Sequence, residues 1–271
     1  MVRSPAVSGQ FYPARPDVLC AQLQNFLPPG PTRKAFGVVV PHAGYVFSGA
    51  IAGATFSQVT IPDRIVIIGP NHHGFGHRAA VFPDGGWETP LGIAPIDADF
   101  AHRLLESCPH TGADTVAHRL EHSLEVLLPF LQILNPSVRI VPLCLGHLPL
   151  PELLTLGECL GDLIRTECEP TLVVASSDMT HYEHGEIARL KDMQALEKVL
   201  ALDPEGLYRV VRNQQISMCG VLPTVVMLAA AHRLRASAGE LVRYGNSGDV
   251  TGDQREVVGY AGVAVWAAAD G

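Results

Sequence analysis

The chain has 271 residues and a formal net charge of −8, with 47% hydrophobic and only 17% charged residues. A chain of this length and apolar content can bury a large core, which excludes an intrinsically disordered protein. The negative charge argues against a non-specific nucleic-acid binder and against a polybasic membrane-surface protein, since both need a basic surface. No apolar stretch reaches the roughly 20 residues of a membrane span, so we expect no membrane segment.

The amino-terminal residues and the cysteines bear on the cellular compartment. The first five residues, Met1 to Pro5, contain no apolar segment, so we expect no signal peptide. The six cysteines, at positions 20, 108, 144, 159, 168 and 219, include no Cys-x-x-Cys pair, which excludes a zinc ribbon. We therefore expect a cytoplasmic protein in which the cysteines other than Cys219 are reduced, unremarkable thiols.

Five apolar runs predict buried strands, and amphipathic segments between them predict helices. The predicted strands are 36–40, 64–68, 138–145, 171–175 and 257–266, and the predicted helices are 48–58, 97–107, 121–134, 151–165, 184–201 and 219–235. Pro129 should kink the helix over 121–134. Near-continuous apolar strands separated by helices predict one α/β domain over residues 1–271, with a central, mostly parallel sheet and helices on both faces.

Three of the predicted strands are followed by polar loops that contain histidine. His42 follows the first strand, His72 and His73 follow the second, and His181 lies in the loop after the strand over 171–175. Ligands of open α/β sheets bind at the carboxyl ends of the strands, so these side chains should converge at one edge. Clustered titratable groups at such an edge indicate a functional site.

Imidazole is a good ligand for Zn, Cu, Fe and Ni, which makes a metal site the leading interpretation of His42 and His72. These two residues are 30 positions apart in the chain, about one βαβ unit, so we expect them on neighbouring strands. Adjacent side chains point in different directions, so we expect only one of His72 and His73 to be a ligand, and we prefer His72.

Cys219 stands where the last predicted helix begins. A thiol at a helix N-terminus has its thiolate favoured by the helix dipole, but a buried, inert cysteine is an equally good interpretation. Asp178 and His181 are three residues apart, so the carboxylate can orient the histidine and the histidine can move a proton. The alternative is a capping turn at Asp178 with an exposed His181. His122 is a weaker candidate, and His118 is expected to be an ordinary surface or loop residue.

Taken together, several blocks of sequence resemble the Memo family. They are Pro41-His42-Ala43-Gly44-Tyr45, Gly69-Pro70-Asn71-His72-His73, Trp87-Glu88-Thr89-Pro90-Leu91-Gly92, Glu121-His122-Ser123-Leu124-Glu125, Ser176-Ser177-Asp178-Met179-Thr180-His181 and Met218-Cys219-Gly220. The resemblance runs over nearly the whole chain. It implies a fold similar to class III extradiol dioxygenases, which hold Fe(II) with two histidines and a glutamate.

The resemblance also implies roles for individual residues. His42, His72 and Cys219 match the metal-site positions, with Cys219 where the dioxygenases have the carboxylate. His181 matches the acid/base histidine, and by the same argument Asp178 and His122 line the pocket. A thiolate is softer than a carboxylate, so Cu or Zn stand beside Fe(II), which we expect most.

Three functions follow from these residues. The first is redox or oxygen chemistry at a mononuclear metal site, acting on a small molecule. The second is a non-catalytic module that uses the pocket to bind a small molecule, a peptide or a partner protein, and the resemblance implies radical-SAM and AMMECR-like proteins of a shared pathway as partners. The third is a hydrolase or transferase with Cys219 as nucleophile and His181 or His72 as base. Kinship of fold does not assign a reaction.

Overall fold

A computed structural model of the protein describes residues 1–267. Its strands are β1 (Val2–Arg3), β2 (Ala35–Val40), β3 (Arg64–Pro70), β4 (Ala79–Val81), β5 (Gly86–Thr89), β6 (Gly92–Pro95), β7 (Gly112–Ala113), β8 (Arg139–Leu145), β9 (Thr171–Ser176), β10 (His181–Glu183), β11 (Ala238–Asn246) and β12 (Val257–Trp266). Its helices are α1 (Pro16–Phe26), α2 (Tyr45–Phe56), α3 (Ala98–Ser107), α4 (Leu128–Leu134), α5 (Leu150–Thr166), α6 (Gly185–Leu200), α7 (Pro204–Asn213), α8 (Val221–Arg233) and α9 (Gly248–Thr251).

Most of the strands form one large mixed sheet. Within the described residues it has nine strands in the order β10-β12-β2-β9-β3-β8-β4-β7, and β11 pairs with β12 off this path. The central strands β2, β9, β3 and β8 are parallel to one another, and all of β3 is buried. The predicted α/β fold is therefore confirmed, with its parallel part in the centre of the sheet.

The strands that flank this centre are antiparallel. The strand β12 runs against β2, β11 runs against β12, and β4 runs against β8. No apolar run marked β11, because its residues alternate between intermediate and exposed positions. A strand at this position packs only weakly against the core, so it lacks the continuous hydrophobic pattern that predicted the central strands.

Helices cover both faces of the sheet, as two close-packed glycines show. The glycine Gly37 of β2 lies opposite Val265 of β12, and it packs against Met227 of α8. By contrast, Gly262 of β12 packs against Thr55 of α2. Successive side chains of a strand alternate between faces, so positions 262 and 265 face opposite sides. The helices α8 and α2 therefore lie on opposite faces.

The prediction of one helix over 121–134 was wrong in its first half. A 3-10 turn occupies Glu125–Leu127, and α4 begins only at Leu128. Pro129 is the second residue of α4. A backbone N–H in the first turn of a helix has no intrahelical acceptor, so a proline at this position costs no hydrogen bond and forms no kink. The segment before the turn is irregular. The helices α1 and α7, which both begin at a proline, were not predicted.

The expectation that all cysteines other than Cys219 are reduced was wrong for one pair. Cys108 and Cys159 form a disulfide, with Cα atoms 5.6 Å apart. The packing of α3 against α5 brings these two positions together, and no sequence spacing indicates it. No helix among residues 1–267 has the length and apolar character to cross a membrane.

Candidate metal centre

The candidate site lies at the carboxyl ends of the central strands. His42 follows β2, His72 follows β3, and Asp178 follows β9. The strand β9 lies between β2 and β3, so the expectation that His42 and His72 lie on neighbouring strands was wrong. As a consequence, Ser176 at the end of β9 stands between the two histidine loops.

Three imidazoles converge at this edge. One ring nitrogen each of His42, His72 and His122 lies within 4.8 Å of the others, which is close enough for the three to hold one metal ion. The centroid of the His42 ring lies 5.3 Å from that of His72 and 5.5 Å from that of His122. The rings of His72 and His122 stack with centroids 4.7 Å apart. The sequence placed His122 in the pocket, and the structure places it within the histidine cluster.

The thiol of Cys219 borders this cluster. Its Sγ lies 3.3 Å from Nε2 of His42 and accepts a hydrogen bond from the backbone N–H of Asp178 at 3.2 Å. Burial raises the pKa of the thiol well above its usual value, and the charge of Asp178 raises it further. Burial and the charge of Asp178 therefore outweigh the expected lowering of this pKa by the dipole of α8, whose N-cap residue is Gly220. Without a metal, the thiol is therefore protonated.

The pKa values of His42 and His122 favour the neutral, ligating form of imidazole. Burial lowers the pKa of His42 well below its ordinary value, and the neighbouring His122 and His72 lower it further. Burial also lowers the pKa of His122. Metal ions bind the deprotonated ring nitrogen, so the lowered pKa values of His42 and His122 favour metal binding.

In the rings of His42 and His72, one nitrogen contacts a residue that is not part of the cluster. Nδ1 of His42 lies 2.7 Å from Oγ of Ser176, and Nδ1 of His72 lies 2.9 Å from a carboxylate oxygen of Glu121. Glu121 is fully buried. Burial acts to raise its pKa, but hydrogen bonds from His72 and from backbone N–H groups outweigh burial and hold the pKa well below its usual range.

Asp178 and His181 flank the cluster on the side of β9 and β10. A carboxylate oxygen of Asp178 accepts a hydrogen bond from the backbone N–H of His42 at 2.8 Å. Burial raises the pKa of Asp178 to about 6. Nδ1 of His181 lies 3.0 Å from the carbonyl oxygen of Ser217. A carbonyl only accepts hydrogen bonds, so Nδ1 carries the proton and Nε2 of His181 is free to accept one.

Comparison with known proteins decides the family. The family described as Memo-like protein matches residues 3–264. The chain belongs to the Memo family. A MEMO1 family protein of Methanopyrus kandleri is 42% identical, covering 97% of this chain and 98% of that protein. A MEMO1 family protein of Methanosarcina barkeri is 40% identical, covering 97% of this chain and all of that protein (100%).

A solved structure supports the fold alone. An uncharacterized protein of Escherichia coli K12 superposes with a TM-score of 0.58 at 16% sequence identity, covering 84% of this Memo chain and 98% of that chain. At this identity the likeness carries over the arrangement of strands and helices and no residue role.

Two other histidines of this Memo family protein, His73 and His118, lie outside the cluster. His73 is exposed, and its ring stacks on Phe75 and lies 3.1 Å from the carbonyl oxygen of Leu120. Of the two expectations for His118, a surface or a loop position, the surface position was wrong, whereas the residue does lie in a loop. It is fully buried, with its ring packed edge-on against those of Phe82 and Trp87.

Sequence reasoning also left Glu121 and Ser176 without a role. Both stand in the quoted Memo blocks beside the histidines, but neither type of residue is distinctive by itself. A serine at the end of a buried strand and a glutamate before a predicted helix are common structural choices. Only the folded contacts reveal that each binds a histidine ring of the cluster.

A cleft of about 790 Å³ opens beside the Memo cluster. It is lined by Phe47, Tyr182, Ser247, Thr251, Asp253, Arg255, Glu256, Val258 and Tyr260. Burial raises the pKa of Tyr260, and the charge of Asp178 adds to this, which reflects how close the cleft wall lies to the cluster. His181 pairs with Val258 between β10 and β12, so the cleft lies next to His181.

Proposed function

We propose that this protein binds one metal ion through His42, His72 and Cys219 and uses it for redox or oxygen chemistry on a small molecule. The observation that carries the proposal is the convergence of the three imidazole nitrogens within 4.8 Å, with the Cys219 sulfur 3.3 Å from Nε2 of His42. Fe(II) is the first candidate, and Cu or Zn are the alternatives.

The donor set fits such an ion. Neutral imidazole suits Fe, Cu and Zn, and a thiolate adds a soft ligand that the hard cations Mg²⁺ and Ca²⁺ do not favour. The raised pKa of Cys219 does not oppose this, because a coordinated thiol is deprotonated by the ion itself. When bound, such an ion supplies Lewis acidity and, for Fe or Cu, one-electron chemistry.

The remaining residues supply proton handling and orientation. The Asp178 carboxyl, with a pKa of about 6, can hold or release a proton near neutral pH. His181 has its Nδ1–H bound to Ser217, so its Nε2 accepts a proton from a substrate hydroxyl. His122 is packed against Phe11, with ring centroids 4.9 Å apart, which orients it at the cluster edge.

Elemental analysis of untagged protein purified without oxygen tests the metal site. Wild type is expected to carry Fe, Cu or Zn in nearly equal amount to protein, and Cys219→Ala is expected to lose most of it. Cys144→Ala is the matched control, because Cys144 is a buried free cysteine whose sulfur lies near the backbone carbonyl oxygens of Pro70 and Ala117. Equal metal retention in wild type and Cys219→Ala would remove Cys219 from the site.

The cleft favours a second function, that of a non-catalytic binding module. Its volume of about 790 Å³ and its aromatic side chains suit a small molecule or a short peptide. Oxygen uptake by the metal-loaded protein with catechols separates the two functions. Turnover that is lost in His181→Ala supports catalysis, whereas binding without oxygen uptake supports the module.

A further inference from the structure

The two cluster rings that contact Ser176 and Glu121 each face a choice between two neutral tautomers. In one, Nδ1 carries the proton and Nε2 has the lone pair; in the other, the roles are exchanged. Only a nitrogen with a free lone pair binds a metal ion. Which tautomer His42 and His72 adopt therefore decides whether the cluster can bind at all.

For His42, a single hydroxyl proton settles the choice. Oγ of Ser176 lies 2.6 Å from the carbonyl oxygen of Ser123 and 2.7 Å from Nδ1 of His42. The carbonyl can only accept, so the hydroxyl proton of Ser176 is committed to Ser123. The hydroxyl oxygen must then accept from His42, which places the ring proton on Nδ1 and the lone pair on Nε2, the nitrogen that faces Cys219.

For His72, the acceptor is a carboxylate. Glu121 receives backbone N–H groups from His72, His122 and Ser123 at 2.8–3.0 Å, and its Oε1 also contacts Nδ1 of His72 at 2.9 Å. Each backbone N–H can only donate, so the carboxylate acts as an acceptor on every side. The ring proton of His72 therefore lies on Nδ1, and Nε2 is left for the cluster.

We propose that Ser176 and Glu121 are positioning residues that hold His42 and His72 in the tautomer whose bare Nε2 faces the cluster. The proposal rests on the proposed function in that these rings are taken to bind the metal. Neither residue needs to touch the ion. A hydrogen bond to the far nitrogen of a ligating histidine fixes the ring and its tautomer, and loss of such a partner typically weakens metal binding about 10- to 100-fold.

The first test reads the tautomers in metal-free protein. With ¹⁵N-labelled histidine, long-range proton–nitrogen correlation separates the two neutral tautomers, and His42→Asn and His72→Asn assign the signals. Wild type is expected to show His42 and His72 protonated at Nδ1. Ser176→Ala should release the His42 ring into a mixture of tautomers and leave His72 unchanged, whereas Glu121→Gln should alter His72. Ser176→Thr, which keeps the hydroxyl, should restore the wild-type pattern.

Ser123→Ala is the matched control. Ser123 is as deeply buried as Ser176, and its own hydroxyl binds the carbonyl oxygen of Pro70 and no histidine. A His42 ring that stays protonated at Nδ1 in Ser176→Ala would overturn the proposal. Equal changes in Ser123→Ala and Ser176→Ala would also overturn it, since the serine would then act only through packing.

The second test measures Co²⁺ binding by absorbance. Ser176→Ala is expected to weaken binding about 10- to 100-fold, with Ser176→Thr and Ser123→Ala close to wild type. Unchanged affinity in Ser176→Ala would contradict the positioning role. Failure of wild type to bind any metal would refute the proposed function instead, and the tautomer measurement would still decide the roles of Ser176 and Glu121.

Discussion

The two ends of the central strands bury polar groups in opposite ways. At the amino end, Arg64 and Asp97 are almost fully buried and joined at 2.7 Å, and Arg139 binds the same carboxylate at 2.7 Å. At the carboxyl end, the buried groups are the imidazole of His42, whose pKa burial lowers, the thiol of Cys219, whose pKa burial raises, and a serine hydroxyl. Charges that satisfy one another within a network leave little to offer a ligand, whereas imidazole rings with bare nitrogens keep their lone pairs available.

Removing one charge at the amino end is expected to have the largest effect. Asp97→Ala leaves Arg64 buried without its closest partner and removes the side chain that caps α3 through the backbone N–H of Phe100. Breaking a buried ion pair from one side typically costs about 3–5 kcal/mol. Because Glu169 still lies 2.8 Å from Arg64, we expect about 3 kcal/mol from the pair and about 1 kcal/mol more from the lost helix cap. Urea unfolding should show this loss, while the metal content of the folded fraction stays at the wild-type level.

An exposed ion pair provides the control for that loss. Asp253 binds Arg255 at 2.6 Å at the surface, so Asp253→Ala should leave the free energy of unfolding close to the wild-type value. A similar cost for Asp97→Ala and Asp253→Ala would mean that burial does not set the strength of the amino-end network. Metal loss in Asp97→Ala would mean that the two ends are not independent.

Removal of the disulfide is expected to give the next largest loss of stability. The disulfide is attached at the end of α3, the helix that Asp97 caps at its start. Cys108 and Cys159 are separated by 51 residues, and a cross-link that closes a loop of this size contributes roughly 2–4 kcal/mol. The double variant Cys108→Ser with Cys159→Ser should lose this much stability. Thiol counting on unfolded, unreduced wild type should find the four free cysteines, Cys20, Cys144, Cys168 and Cys219. Six reactive thiols would instead restore the expectation drawn from sequence.

The buried histidine outside the cluster predicts a smaller, pH-dependent effect. Burial lowers the pKa of His118 from 6.5 to about 4. Between these values the unfolded chain binds a proton that the folded chain does not, so the stability present above pH 6.5 falls as the pH falls towards 4. For this one group the loss between pH 7 and pH 5 is about 2 kcal/mol.

Urea unfolding at both pH values checks this, with His118→Gln compared with wild type. The variant should be less sensitive to pH by about 2 kcal/mol, whatever its stability at pH 7. His102→Gln, at an exposed histidine, should keep the wild-type sensitivity. If His118→Gln keeps it too, the His118 ring is protonated in the folded state without penalty.

The contrast between His118 and the cluster explains what the sequence could and could not predict. Apolar runs located the central strands, and the position of His42 and His72 after those strands placed them at one edge. Nothing local distinguishes His118, because its burial between Phe82 and Trp87 depends on contacts distant in sequence. The order of strands was equally hidden, since β9 enters between β2 and β3 from more than 100 residues away.

The smallest effect is expected from His122, the third imidazole of the cluster. If His42, His72 and Cys219 hold the ion, His122→Ala leaves all three ligands and removes only a neighbouring ring. The loss of Co²⁺ affinity should then be on the order of tenfold, or about 1.4 kcal/mol. His73→Ala, at an exposed residue outside the cluster, is the control and should bind as wild type does.

The comparison of His122→Ala with Cys219→Ala decides between two ligand sets. A three-imidazole site would lose binding in His122→Ala as completely as in His42→Ala, and Cys219→Ala would lose little. A site of two imidazoles and a thiolate predicts the reverse order, together with a sulfur-to-cobalt charge-transfer band that disappears only in Cys219→Ala. Because the stacked rings of His72 and His122 lie 4.7 Å apart, part of the tenfold loss should come from freedom gained by the His72 ring, which Glu121 then holds alone.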